Sequence, residues 1–389
     1  MFLPRASGAA GRLSCVPRTA FLPRLTTAQS FVSPYHKQSQ QRHQRRYSAI
    51  RRPRLTRTQP KVLGELLFEG VNPPPLAWWR EFQEARGLGD LTPENCLSAF
   101  TQYCLVATNT GSTWKHALQS DHDIDPYTLH YTALPLINRS GSPAMQVGLH
   151  MLYTASSMGY KPSILTMMGL IARSSEVQYD RAQKSPTWCE VEARFKRLLQ
   201  IEKDPDVFTL QGLFLLREGT DDKFALRYFD RAIEAARNMP GEEPEPIAGQ
   251  KTPVVRKPRW TLENLCHKNR GAILLKQNRT DEARDAFRIL ALELDFPDGY
   301  TELAKLLPPG APERETYLLK AAQAGDFEAC RLLALDMADK AAAKPDLPRA
   351  DRVLAAGLAR EWAMIEPDTA KREGLQAQVA EKIRDVFGK

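Results

Sequence analysis

Tyr153-Thr154-Ala155-Ser156-Ser157-Met158-Gly159 aligns without gaps with Leu319-Lys320-Ala321-Ala322-Gln323-Ala324-Gly325. Both stretches end on a run of small residues and a glycine. Small side chains let one helix of a pair approach its neighbour closely, and the glycine supplies the left-handed backbone that stops a helix. The expectation is a chain of antiparallel helix pairs.

Apolar residues on either side of these stretches recur at helical spacing. From Asp222 to Arg237, Ala225, Tyr228, Phe229, Ala232, Ile233 and Ala236 share one face; from Thr280 to Leu294, Ala283, Ala286, Phe287, Leu290, Ala291 and Leu294 do the same. Phe327, Cys330, Leu333, Ala334 and Met337 form a third stripe. Trp78, Trp79 and Phe82 mark an earlier helix whose aromatics suit an end cap or a docking point, with capping preferred. Thr92-Pro93, Asp125-Pro126, Ser142-Pro143, Ser185-Pro186 and Asp204-Pro205 each place an N-cap side chain before a proline in the first helical position, where its missing N–H costs nothing. Pro126, Pro143 and Pro162 recur at intervals of 17 and 19 residues, so two helices and two turns occupy 36 residues, the length of a helical-hairpin repeat. No segment shows strand alternation. Between Met239 and Trp260, Pro240, Pro244, Pro246, Pro253 and Pro258 with Gly241 and Gly249 preclude a continuous helix, so an exposed loop inserted within or between repeats is expected, a hinge between domains being the other reading.

The Lys-Ala-Ala-x-x-Gly form at 320–325, followed by Phe327, Ala329 and Leu333, resembles the Sel-one-like repeat. Elsewhere the pattern is similar to the tetratricopeptide repeat, with Ala225, Phe229 and Ala232 after Gly212, and Ala283 and Phe287 after Gly271; Leu290 stands where that template has its final alanine, and the closing proline comes late, at Pro297. The resemblance covers roughly residues 125–240 and 260–340. It implies an all-α fold, an α-solenoid of antiparallel helix hairpins without significant β-sheet, whose concave face binds other proteins. In that family Gly159, Gly212, Gly271, Ala321, Ala322 and Gly325 define repeats; they do not mark a site.

The amino terminus reads differently. From Met1 to Gly64 there is no Asp or Glu, whereas arginines are frequent among Ser, Thr and Gln. Such a segment is similar to a mitochondrial transit peptide, drawn inward by the membrane potential. Arg45, Tyr47 and Ser48 resemble a matrix processing site, which puts the mature start at Ser48 and makes 1–47 a disordered presequence. That segment carries seven Arg and one Lys, a charge of +8 against +8 for the whole chain, so the remainder is formally neutral and lacks the basic field of a non-specific nucleic-acid binder. A basic arm that stays attached and touches nucleic acid or anionic lipid is the other reading. Residues 48–62 form a basic, disordered tail, in which Arg51, Arg52, Arg54, Arg57 and Lys61 could contact the inner membrane or the ribosome. Helical repeats then span 63–238 and 261–389, either side of the 239–260 loop. No apolar run approaches the length of a membrane span.

Motifs with chemistry are scarce. Asp121, Asp123 and Asp125 resemble the start of a calcium loop, but Pro126 replaces its glycine and Thr132 its bidentate glutamate. His116, His122 and His130 match no zinc spacing, and the cysteines after Cys15 are isolated, as small buried hydrophobes usually are. No phosphate-cradling glycine loop or nucleophile elbow is present, and no cofactor is expected. The expected function is a non-catalytic, protein-binding scaffold or assembly factor in the mitochondrial matrix or on the matrix face of the inner membrane, serving a respiratory complex or the mitoribosome. A second reading comes from Met158 to Thr166, which resembles the turn of a pentatricopeptide repeat and so implies an RNA-binding translational activator.

Overall fold

A computed structural model describes residues 68, 71–108, 113–139, 142–201, 203–219, 221–237, 239, 255–342 and 347–386. Arg45, Tyr47, Ser48, the basic tail 51–61 and most of the 239–260 loop lie outside them.

The described residues are all-helical, with seventeen α-helices and no β-strand, an isolated bridge between Leu88 and Asp90 apart. The first half holds α1 (Leu76–Arg86), α2 (Pro93–Thr108), α3 (Trp114–Ser120), α4 (Pro126–Ile137), α5 (Pro143–Ser157), α6 (Lys161–Ala172), α7 (Glu176–Gln183) and α8 (Pro186–Ile201). After these come α9 (Pro205–Arg217), α10 (Asp222–Ala236), α11 (Glu263–Lys276), α12 (Thr280–Arg288), a π turn (Ile289–Glu293) and α13 (Pro297–Lys305). The chain closes with α14 (Pro312–Gln323), α15 (Phe327–Ala342), α16 (Arg349–Met364), α17 (Thr369–Lys382) and a short 3₁₀ turn. Neighbours in sequence are neighbours in space: α4 packs chiefly on α5, α9 on α10, α11 on α12, α13 on α14 and α15 on α16.

Helix starts follow local chemistry. Asp125 accepts the Thr128 N–H at 2.8 Å, Ser142 that of Ala144 at 3.2 Å, and Asp204 those of Asp206 and Val207 at 2.8 and 3.2 Å, each ahead of a proline. Gly159 and Gly325 have φ of +85° and +90°. The N–H after each reaches back five residues, from Tyr160 to Ala155 O and from Asp326 to Ala321 O, closing Schellman motifs. Asn278, at φ +60°, does the same work without a glycine, with the Arg279 N–H bonded to Leu274 O.

Four glycines are set where helices meet. A Cβ on Gly148 would lie 2.8 Å from Leu136 Cβ, and one on Gly212 would lie 2.7 Å from the Phe229 ring. Gly271 stands the same way against Phe287, and a Cβ on Gly299 would come within 2.5 Å of the Ala291 nitrogen. Phe229 and Phe287 are fully buried, as are Ala225, Ala232 and Ala283. Each ring contributes about 1.5–3 kcal/mol by burial. Between α15 and α16 the seam is almost all alanine, from Ala334, Ala338 and Ala341 to Ala355, Ala356 and Ala359.

Two details differ from the sequence expectation. Leu290 falls in the π turn and not on a regular helix, and Gly299 of α13 packs its backbone against Leu290 and Ala291 there. Phe327 is 36% exposed, since as the first residue of α15 it precedes the buried part of its stripe.

Gly299→Ala should therefore destabilise the protein by about 1–3 kcal/mol, because the atoms it meets are backbone and cannot turn aside. Gly374→Ala, in α17 with open space around it, should stabilise by up to about 1 kcal/mol from helix propensity. Denaturant unfolding of both variants checks the opposite signs; equal shifts would refute the close contact.

Candidate functional site

The chain returns from the Pro-rich segment along Val255–Arg259, and these residues, with Trp260, make contacts with the helices. Trp260 is buried at 4% exposure, and its Nε1–H donates to Thr209 Oγ1 on α9 at 3.3 Å. Glu263, at the start of α11 and only 1% exposed, gathers the segment. It accepts from Arg256 Nη1 and Nη2 at 3.0 and 2.9 Å and from the Arg259 N–H at 2.6 Å, while Arg256 Nε also reaches Glu293 at 2.8 Å. Burial alone would push the Glu263 carboxyl up; His267 and the Arg256 guanidinium outweigh it and hold it below the usual carboxylate range. Asp206 on α9 accepts the Leu262 N–H at 2.8 Å. Burial, with the charge of Asp204 beside it, pushes the Asp206 carboxyl up, and bonds from Leu262 and Thr261 only partly oppose this.

Above this carboxylate hub, α10, α11 and the end of α12 enclose an open groove of about 330 Å³. Its apolar floor is Ile233, Ala286 and Ile289. The rim is charged: Asp230 pairs with Arg270 and Glu234 with Arg237, both at 2.8 Å, and Asp285 stands beside them. His267 joins groove and hub. It is 3% exposed, its Nε2 lies 3.7 Å from Glu263, and its Nδ1 has no partner among the described residues. The groove therefore presents an apolar strip between paired charges, with the His267 imidazole at its edge.

The residues expected to define repeats fall around this groove without lining it. Gly212, Ala225, Phe229 and Ala232 form the α9–α10 contact on one side, and Gly271, Ala283 and Phe287 the α11–α12 contact on the other. Ala321 is buried and Ala322 half-buried near the α14 terminus, and Gly159 and Gly325 stop helices elsewhere. Among the described residues no group of three His, Cys, Asp or Glu side chains could hold a metal ion, and His130 bonds Ser163 Oγ at 3.0 Å. Trp79 is wholly buried at the amino-terminal end, its Nε1–H on Pro74 O at 3.2 Å. Arg256, Glu263 and His267 carry no motif, and only the tryptophan closing a proline-rich stretch hints that the chain docks there.

The two carboxylates give opposite pH responses. Glu263 has a lowered folded pKa, so the stability it confers is present above the unfolded value of about 4 and is lost on acidification; Glu263→Gln should cost about 3 kcal/mol near neutrality and less in acid. Asp206 has a raised folded pKa: the folded chain retains a proton the unfolded chain has released, so it loses stability as pH climbs above about 4. Asp206→Asn keeps an acceptor for Leu262 and should gain on wild type from pH 4 to 8. Thermal unfolding across that range checks both, and parallel curves for wild type and Asp206→Asn would remove the raised pKa. No family model, curated protein or solved structure matches the chain.

Proposed function

We propose that this chain is a non-catalytic α-solenoid scaffold, similar to tetratricopeptide and Sel-one-like proteins, that holds another protein during assembly of a respiratory-chain complex or the mitoribosome. The observation that carries the reading is the repeated helix-pair contact, Gly212 against Phe229 and Gly271 against Phe287, with each helix packed on its sequence neighbour. Units that bury their apolar faces on their neighbours build a solenoid and leave a concave face for a partner segment. The groove beneath Asp230, Glu234 and Asp285 offers that segment an apolar strip with charged margins. The acid-free, arginine-rich amino terminus supports placing the protein in mitochondria, at the matrix side.

The RNA-binding alternative finds less support. Lys161, the one cation of the turn resembling a pentatricopeptide repeat, is paired with Asp204, and the chain after residue 47 is formally neutral.

Affinity purification of the tagged protein from mitochondria should recover the subunits of one complex. Glu234→Lys combined with Asp285→Lys, at exposed rim positions, should reduce that recovery and leave the fold intact. Recovery of the protein alone, as a monomer that turns over a metabolite, would overturn the scaffold, as would strong, salt-sensitive crosslinks to mitochondrial RNA.

A further inference from the structure

Away from the groove, α3, α5 and α8 bring two cations onto one tyrosine ring. Lys115 Nζ lies 5.5 Å from the centre of the Tyr153 ring and 5.6 Å from that of Trp114. The Arg194 guanidinium carbon lies 5.9 Å from the centre of the same Tyr153 ring. One carboxylate, Glu190, stands with them, and its Oε2 is already shared: it accepts from Arg194 Nη2 and from the Tyr153 hydroxyl, both at 2.8 Å. Lys115 donates one hydrogen bond, to the neutral Ser157 hydroxyl at 2.8 Å. Among the described residues, that leaves two of its three N–H groups without an acceptor. Arg194 Nη1 is buried and has no acceptor among the described residues.

The charges around the Tyr153 ring do not cancel, since two cations stand with one carboxylate. Burial, then the charge of Arg194, holds the Lys115 ammonium below its usual pKa, and only Glu190 opposes this. His150, which bonds the Tyr103 hydroxyl at 2.7 Å, is pushed down to about 4 by burial and by Lys115, so it is neutral and adds no charge near pH 7. Aromatic faces offset part of the cost of withdrawing an ammonium from water, but they accept no directed hydrogen bond comparable to an anion's. A cation pair that keeps open donors while partly out of water is the arrangement that recognises an oxyanion.

We propose that Lys115 Nζ and the Arg194 guanidinium, both beside the Tyr153 ring, together bind one small oxyanion, a phosphate or a carboxylate group. Glu190 orients Arg194 and sets the affinity by subtracting one charge. Trp114 and Tyr153 flank the ammonium and favour an anion with an apolar body over a fully hydrated one. The site is separate from the α10–α12 groove and does not depend on what docks there.

The test is calorimetric titration of the purified full chain with inorganic phosphate and, separately, succinate, at constant ionic strength with chloride as control, alongside thermal unfolding. One or both oxyanions should bind saturably and raise Tm where chloride does not; phosphate alone identifies a phosphoryl ligand, and succinate alone a carboxylate. Lys115→Met should weaken binding about tenfold or more, the loss of one charge-assisted hydrogen bond. Glu190→Gln, which removes the competing carboxylate, should tighten it several-fold, and this variant keeps the test decisive if Lys115→Met does not fold. Lys196→Met, on an exposed face of α8, should change nothing. Absence of saturable binding by either anion, or unchanged affinity in Glu190→Gln, would overturn the proposal.

Discussion

Glycine opposite an aromatic ring, or opposite backbone, sets the distance between paired helices. At Gly212 and Gly271 the missing Cβ is the space into which Phe229 and Phe287 fit, and both rings are wholly buried. Dispersion and burial depend on that fit, because a gap of even half an ångström forfeits much of the attraction. Where α13 approaches the π turn Ile289–Glu293, Gly299 brings backbone against backbone. The alanine seam between α15 and α16 is the same solution without glycine: two helices, each lined with methyl groups, approach closely over several turns.

Short helices at close quarters create many helix ends, and each end leaves carbonyls without intrahelical partners. Left-handed residues satisfy some. Gly159 and Gly325 do so as expected, whereas Asn278, Asp123 and Asp295 take positive φ at other ends. Buried and half-buried arginines satisfy more. Arg217 donates to Ile171 O and Ala172 O at the end of α6, Arg314 to Ala304 O and Leu307 O after α13, and Arg352 to Ala341 O at the end of α15. A guanidinium offers donors in a fixed fork and complements the negative end of the helix dipole, so one side chain ties a helix terminus to the next element. Arg314 is 7% exposed and is neutralised by Asp336 at 2.6 Å.

Periodicity made the helices legible because burial on one face imposes a 3.6-residue rhythm, and proline after a capping residue made their starts legible because that pair has few other uses. Ala225, Phe229 and Ala232 lie in the α10 core, and helices begin at Pro126, Pro143 and Pro205. The groove was not legible. Its floor residues, Ile233, Ala286 and Ile289, belong to stripes that read simply as packing, and its hub, Glu263, draws on Arg256 across a bend that sequence spacing does not reveal. The cation pair was hidden more deeply, because Lys115 and Arg194 come from helices far apart in the chain and share only the Tyr153 ring. Constellations that tertiary packing assembles leave no local pattern.

The return segment shows how residues 255–262 are held without a helix or strand of their own. Backbone N–H groups that no helix or strand can satisfy need other acceptors, and two carboxylates supply them: Asp206 for Leu262, and Glu263 for Arg259. The two are not equivalent. Glu263 has the Arg256 guanidinium across from it and stays ionised, so its hold persists through the neutral range. Asp206 has only N–H and hydroxyl donors and the unfavourable charge of Asp204 nearby, so withdrawal from water weighs more heavily on it. Trp260, wedged against α9 and bonded to Thr209, holds the segment by apolar contact that is indifferent to protonation. The wall formed by α11 therefore keeps its place beside α9 and α10 through contacts of different physical kinds, and Asp206 alone carries a cost of burial that grows as its carboxyl ionises, even though the bonds from Leu262 and Thr261 favour the charged form.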